Sequence, residues 1–460
     1  DPNKLYIRYK YSYKNKLSWG ITAEKDPGEE FFTGSQKNGF DYYSAHFYVK
    51  DIGPVKTLAL GDYYVQFGQG LVLQSGFSTG KTSMVLNIRK RAAGIKKYSG
   101  TDENLFFRGA ATTVRYKSLD FTAFYSKKNI DANITLVDSL TGEAEEISSL
   151  QSTGLHTTPN EVADKHAVSE QVIGGNITLR QKNFNLGLTG VTYGYGADLV
   201  KSVQPYNQFE FMGKSNSNVG LDYQWAIRDV TVFGEFAMSE NGAKAMVTGA
   251  LFDLSALMSM SVLYRNYAKD YQAVYADAFS EGTSVANEKG LYVGTVIYPA
   301  RKWKVSAYTD MYSFPWLRFG VNAPSKGIDY LIQTDYSPSR YVSMYLRFKQ
   351  ETKAENDIAD VTTGISPVSD VTLTKVKYHI SYKVSSTIEL RNRLEWVKQE
   401  RPDSVANGFL VYQDIIYKPA RLPFTFSTRF AIFDTDNYDT RIYAYESDIL
   451  YAFSIPTYYD

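Results

Sequence analysis

From Leu5 to Phe433 the chain repeats one pattern: short runs in which apolar and polar residues alternate. In Leu5–Tyr13, Leu5, Ile7, Tyr9, Tyr11 and Tyr13 share one face, while Tyr6, Arg8, Lys10 and Ser12 share the other. A period of two is the signature of a strand with different surroundings on its two sides. Val342, Met344, Leu346 and Phe348 likewise oppose Ser343, Tyr345, Arg347 and Lys349. Ile388, Leu390, Leu394 and Trp396 oppose Glu389, Arg391, Arg393 and Glu395, and Phe424, Phe426, Phe430 and Ile432 oppose Thr425, Ser427 and Arg429. A face this charged is costly to bury unless it meets water or pairs. No helical period stands out.

The runs number roughly 21–22, most about 8–12 residues long. They are separated by turns that alternate short and long. Short turns fall at Asn15-Lys16, Asp51–Pro54, Val114–Leu119, Lys182-Asn183, Arg228-Asp229 and Val384-Ser385. Long ones run over Lys25–Asn38 and Lys127–Val168, and the final runs are Thr440–Tyr445 and Leu450–Pro456. Three short turns share an order of Tyr, Pro and Arg: Tyr298/Pro299/Arg301, Tyr336/Pro338/Arg340 and Tyr417/Pro419/Arg421. Aromatics at strand ends suit a membrane interface. Outer-membrane barrels have this layout of strands and turns, with lipid outside and a wet lumen within. Closure also hides the edges that so many strands would expose. The expected fold is all-β: a large antiparallel transmembrane β-barrel of about 20–24 strands, residues 1–460 forming one domain. A soluble sandwich, solenoid or propeller also alternates, but does not call for the turn rhythm or the terminal tyrosines.

Composition agrees. The 460 residues include 38 Tyr and 26 Phe, which favour strands. There is no Cys, which excludes disulfides, thiolate metal sites and cysteine nucleophiles. A formal net charge of +1 argues against a dedicated nucleic-acid binder. No run of about 18 apolar residues could form a membrane-spanning helix, a test that barrel strands do not face. Asp1 leads almost directly into a strand and the chain ends after Tyr458-Tyr459, which reads as an internal piece of a longer protein.

One connection breaks the rhythm. Between strands near Leu58 and Val114, the segment Gly68–Phe106 is far longer than ordinary loops. Six glycines permit sharp turns, and Leu71, Val72, Leu73, Met84, Val85, Leu86 and Ile88 call for burial. In a barrel such a segment belongs in the lumen. Its candidate constriction residues are Lys81, Arg89, Lys90, Arg91, Lys96, Lys97, Asp102, Glu103 and the adjoining Arg108. The cations could attract an anionic solute or phosphate. The plainer expectation is that they pair with lumen carboxylates, Asp102 and Glu103 among them.

The runs GDYYVQFGQGLVLQSGFSTGK and IRKRAAGIKKYSGTDENLFFRGAA resemble a family of Bacteroidota outer-membrane β-barrel proteins whose precursors carry an N-terminal helix-hairpin-helix region. The opening DPNKLYIRYKYSYKNKLSWGITAEKDPGE and the ending RIYAYESDILYAFSIPTYY are similar to that family's barrel segments. The resemblance implies the bacterial outer membrane, with its lipid and lipopolysaccharide as surroundings. It implies little about activity. The helix-hairpin-helix portion prompts DNA-related roles but is absent here, so nucleic acid is not an expected partner of these residues.

Other motifs read more plainly. Gly76–Thr82 is one residue short of a phosphate-binding loop and reads as a glycine-rich turn with a solvated Lys81. His156 and His166 could hold a metal with Glu161 and Asp164, but at no recognised ligand spacing. Ser139 and Ser404 sit in short Asp-Ser-apolar matches to Bacteroidota O-glycosylation sites. No nucleophile elbow appears, and neither an enzyme nor a cofactor is expected. The functional alternatives are a channel or transporter with an internal constriction, a plugged barrel that is a subunit of a larger outer-membrane complex, and a component for macromolecule (DNA) uptake.

Overall fold

The hairpin of Leu5–Tyr13 with Leu17–Lys25 sets the plan for the whole chain. Its turn is made by Lys14 and Asn15, both with positive φ, and closes on a bond from Lys16 N to Tyr13 O. Most later strands pair antiparallel with a near predecessor, though Phe107–Tyr116 returns to Val55–Gln66 and Val168–Arg180 to Leu119–Ile130. The computed structural model describes residues 2–76, 80–138, 142–357, 366–448 and 454–460. Among these, 25 strands are present, 23 of them in one sheet. The one parallel pairing described joins Glu146 and Ile147 to Asp198 and Leu199. Among the described residues no helix is long and apolar enough to cross a membrane.

The chain divides into two compact units. The first comprises Asp1–Gly80, Arg89–Gly249 and Arg265–Glu288. After the first hairpin, its ladder continues through Tyr42–Ile52, Val55–Gln66, Phe107–Tyr116, Leu119–Ile130, Val168–Arg180, Phe184–Leu199, Gly213–Ile227 and Val230–Ser239. The second comprises Lys81–Ile88, Ala250–Tyr264 and Lys289–Asp460. There the ladder runs from the strand Glu288–Ile297 through Trp303–Phe314, Ser325–Ser339, Val342–Asn356, Val368–Lys383, Ile388–Arg401, Ser404–Tyr417 and Phe426–Thr435.

In both units the polarity of the strands is inverted relative to a water-soluble sheet. Trp19, Ile21, Tyr43 and Phe47 are exposed, while their neighbours Ser18, Thr22, Ser44 and His46 are buried. In the second unit, Leu394 and Trp396 are exposed while Arg393 and Glu395 are buried. Phe426, Phe430 and Ile432 stand out at 54%, 69% and 53% exposure, where water would penalise them. Aromatics collect at the short-turn ends: Trp303 stacks on Tyr336 at 4.2 Å, and the Arg340 guanidinium lies over Tyr341.

Several expected boundaries move. The turn placed at Val114–Leu119 shrinks to Lys117-Ser118, with Lys117 at positive φ. The region expected to be a long loop, Lys127–Val168, holds two extra strands, Ala132–Val137 and Ala144–Leu150, and the short helix Pro159–Asp164. The N-terminus of that helix is closed by a reciprocal pair, the Thr158 hydroxyl accepting from Glu161 N and the Glu161 carboxylate from Thr158 N. Strands also extend past the apolar stretch: Val342–Asn356 continues through Gln350, Glu351 and Thr352, where alternation has ended but the ladder has not.

The end of the chain is not a wall strand as the alternation of Thr440–Tyr445 suggested. A turn of 3-10 helix at Tyr438–Thr440 leads into Ile442–Tyr443, which pairs only with Thr457–Tyr458 among the described residues. Ile442 and Ala444 pack on Val397, Leu410 and Tyr412, the buried face of the neighbouring strands. The tail therefore covers that face. Of the expected Leu450–Pro456 run, residues 450–453 lie outside the described residues.

Candidate functional site: the inserted segment on the polar face

Gly68–Phe106 lies against the buried polar face, and each unit holds its own part of it. In the first unit the anchor is Glu235, 1% exposed, on Val230–Ser239. Its carboxylate accepts from the backbone N–H groups of Gln69 (2.5 Å), Leu71 (3.0 Å) and Val72 (3.3 Å). Gly68 makes this approach possible: it has φ +60°, and a Cβ there would lie 2.5 Å from Glu235 Oε2. A second connection, residues 268–287, folds onto the same stretch. The Tyr271 hydroxyl donates to Leu71 O, Gln74 N to Tyr275 O, and Asp277 N to Gly70 O. That connection is held in turn by Glu288, which accepts from Glu281 N and Gly282 N and pairs with Arg265. Arg265 and Glu288 have no exposed side-chain surface.

The cations distribute by unit. Lys90 reaches Asp277 at 3.3 Å and its N–H donates to Gln69 Oε1. Gly94–Lys97 forms a short strand against Tyr63–Gln66, where a continuous loop was expected. Lys97 donates to Ser18 Oγ at 2.7 Å. Arg108 grips Asp62 through Nε and Nη2 and also donates to Tyr43 O. Arg91 and Lys96 are exposed and Arg89 is half-buried, with no ion-pair partner among the described residues. In the second unit Lys81 lies between Asp310 (2.9 Å) and Asp329 (3.1 Å), 8% exposed, with its ammonium over the Tyr312 ring. Lys81 is therefore not the solvated residue expected of a glycine-rich turn. Of that turn, residues 77–79 are outside the described residues. In the same unit the Val85 carbonyl accepts from Ser261 and Tyr292.

Of the seven cations only Lys81, Lys90 and Arg108 pair with carboxylates among the described residues, and none pairs with Asp102 or Glu103. Asp102 accepts from the N–H groups of Asn104 and Leu105, capping its own turn. Burial pushes the Glu103 carboxyl up to about 9, with the Asp41 charge adding to it, so Glu103 keeps its proton at neutral pH. The acids that engage the insert and Arg108 are Asp277, in the 268–287 connection, and Asp62, Glu235, Asp310 and Asp329, single acids on buried positions of strands. Their one signal in the sequence is a carboxylate within an alternating stretch, as in VTVFGEFAMS.

His156 is a centre of interaction, with different partners from those expected. Its Nδ1 meets Asp41 at 2.6 Å, its Nε2 meets Asp131 at 3.2 Å, and its N–H donates to Glu29. Lys165 also pairs with Asp41. Glu161 instead caps the helix, and His166 contributes its backbone N–H to Asp131. Glu29, Asp41 and His156 are close enough to surround a cation. A metal, however, needs a bare imidazole nitrogen, whereas both nitrogens here face carboxylates and Asp41 already holds a lysine. The group fits an ion-pair knot joining three connections.

Burial alone would lower the His156 pKa, but its bonds to Asp131 and Asp41 outweigh that and raise it to about 10. Burial would raise Asp41 and Asp131; the hydrogen bonds from His156, with Lys165 on Asp41, hold both below the usual carboxylate value. The raised histidine contributes stability that is complete below its unfolded value of about 6.5 and is lost as pH climbs through about 10. The two aspartates contribute above their unfolded value of about 4 and fail as pH falls through their lower folded values. Protease cleavage within residues 151–167 should therefore increase from pH 6 to pH 10. His156→Gln should be cleaved at the fast rate throughout. A wild-type rate that is flat with pH would show the knot is not protonated.

Ser404 stands exposed at the head of Ser404–Tyr417, and Ser139 lies outside the described residues.

No protein-family model matches the chain, and no curated protein does. Solved structures do. The chain is similar to Pseudomonas aeruginosa OccK8 (OprE) at 9% identity and TM-score 0.34, over 72% of this chain and 89% of that one. It is similar to Acinetobacter baumannii OccAB4 at 8% identity and TM-score 0.35, over 93% and 97%. It is also similar to Pseudomonas aeruginosa OpdK, solved with vanillate, at 9% identity and TM-score 0.34, over 93% and 97%.

Proposed function

We propose that the chain forms a β-barrel of the bacterial outer membrane and acts as a channel or transporter, with Gly68–Phe106 as its internal constriction. The observation that carries this is the inverted polarity of the strands. Exposed Trp, Ile, Phe and Leu call for lipid, and buried Ser, Thr, His, Arg and Glu call for an aqueous interior. A segment fastened to the polar side of both units would narrow such a lumen, and charges along it would filter solutes by size and sign. Single-channel conductance in planar bilayers tests this. Removing residues 70–99 should raise conductance several-fold over the full chain. Near-zero conductance in both proteins would count against the reading.

One observation favours a plugged barrel that is a subunit of a larger complex. The insert is packed as tightly as a core: Leu71, Leu73 and Tyr98 have no exposed surface, and Val72 and Val85 have 1%. On that reading the full chain is silent, the deletion conducts, and a partner co-purifies at fixed stoichiometry in mild detergent. Uptake of DNA draws less support, because Lys81, Lys90 and Arg108 are already held by carboxylates.

A further inference from the structure

Within the second unit, neighbouring strands set like charges directly opposite one another. The register of Val342–Asn356 against Val368–Lys383 places Arg347 opposite Lys377 and Lys349 opposite Lys375. Such facing pairs destabilise a sheet unless something neutralises them. Part of the neutralisation is internal. Lys349 lies 3.3 Å from Asp329 and 3.6 Å from Glu351, and Lys377 lies 3.2 Å from Glu395. Those carboxylates are shared: Asp329 also serves Lys81, and Glu395 also serves Arg393.

Two members of the quartet are left over. Arg347 bonds neutral partners, Gln333 Oε1 at 2.7 Å and Ser83 Oγ at 3.1 Å. Lys375 has no carboxylate at ion-pair distance among the described residues. Lys349 and, from the tail, Arg441 add positive charge around Lys375, and Glu351 offsets part of it. The site stays reachable, since the side chains of Lys349 and Lys377 are 31% and 19% exposed. A guanidinium and an ammonium on a diagonal of adjacent strands can grip two oxygens of one anion.

We propose that Lys375 and Arg347, flanked by Lys349 and Lys377, bind a small anionic solute through its carboxylate or phosphate oxygens. This rests on the channel reading, for which it names the class of solute. Because Arg347 also holds Ser83 of the insert, the bound anion would sit beside the constriction.

The test is thermal unfolding of the full chain in detergent, free of lipopolysaccharide, titrated with inorganic phosphate or acetate at constant ionic strength. The unfolding midpoint should rise by several degrees as either anion approaches saturation. Lys375→Gln should remove that response. It should also unfold at a higher temperature than the wild type without anion, because it relieves the facing charges. A midpoint lowered by Lys375→Gln, or an anion response that survives it, overturns the proposal. A shift produced by lipopolysaccharide but not by phosphate overturns the assignment to a solute. Bilayer conductance keeps the two ideas apart: anion binding by a chain that never conducts removes the channel and leaves the site. Conduction with no anion response does the reverse.

Discussion

Lys81→Met should be the most damaging single substitution in the inserted segment, at a cost of about 3–5 kcal/mol. The lysine is the shared counter-charge of Asp310 and Asp329, whose side chains have no exposed surface. Methionine fills much the same volume, so the loss is mainly of charge. Two carboxylates would face each other with Lys349 and the Tyr308 hydroxyl left to Asp329 alone. One of them would have to take up a proton, or the segment would have to give way to water. Chemical unfolding in detergent measures the cost, and protease mapping over residues 80–90 shows whether the segment lifts. Combining Lys81→Met with Asp310→Asn should restore part of the stability, since the second change removes the orphaned charge. A loss under about 1 kcal/mol, or strict additivity of the pair, would sink this account.

Glu235→Ala should come next, at roughly 3–5 kcal/mol. The backbone N–H groups of Gln69, Leu71 and Val72 would lose their shared acceptor where little water can replace it. Glu235→Gln keeps one acceptor oxygen and should lose about half as much. The alanine protein should exchange the amide hydrogens of residues 69–72 much faster than the wild type and, on the channel reading, show frequent openings in bilayers. Unchanged exchange at these amides would mean that the contacts from Tyr271, Tyr275 and Asp277 suffice to hold the turn.

Much of the wall was legible in advance because it depends on local rules. Alternation located the strands, since successive side chains must point to opposite faces. Its failures are informative. It stopped after Lys349 where the ladder runs on to Asn356, because backbone bonds continue after the side-chain pattern ends. It read Thr440–Tyr445 as wall, because a ribbon packed over the buried face of other strands alternates as well as one within the ladder. It missed Ala132–Val137 and Ala144–Leu150, which are short and lie in a polar stretch.

The site was harder to read. Lys81, Lys90 and Arg108 were named from one short stretch, but their carboxylates lie 229, 187 and 46 residues away. Asp102 and Glu103, nearest in sequence, turned out to cap a turn and to stay protonated. His156 was noticed with the wrong companions for the same reason.

By itself the sequence determined that this chain would be strands, which faces would be apolar, and that Gly68–Phe106 breaks the rhythm of the runs, though its residues Gly94–Lys97 return to the sheet. Those follow from side-chain direction and solvent preference, which act residue by residue. Only the tertiary structure decided which carboxylate meets which cation, that residues 268–287 fold onto the insert and the tail onto Val397, Leu410 and Tyr412, and that Lys375 faces Lys349. Charge attracts or repels through space, and nothing in the order of residues along a chain records which distant strands the ladder will bring side by side.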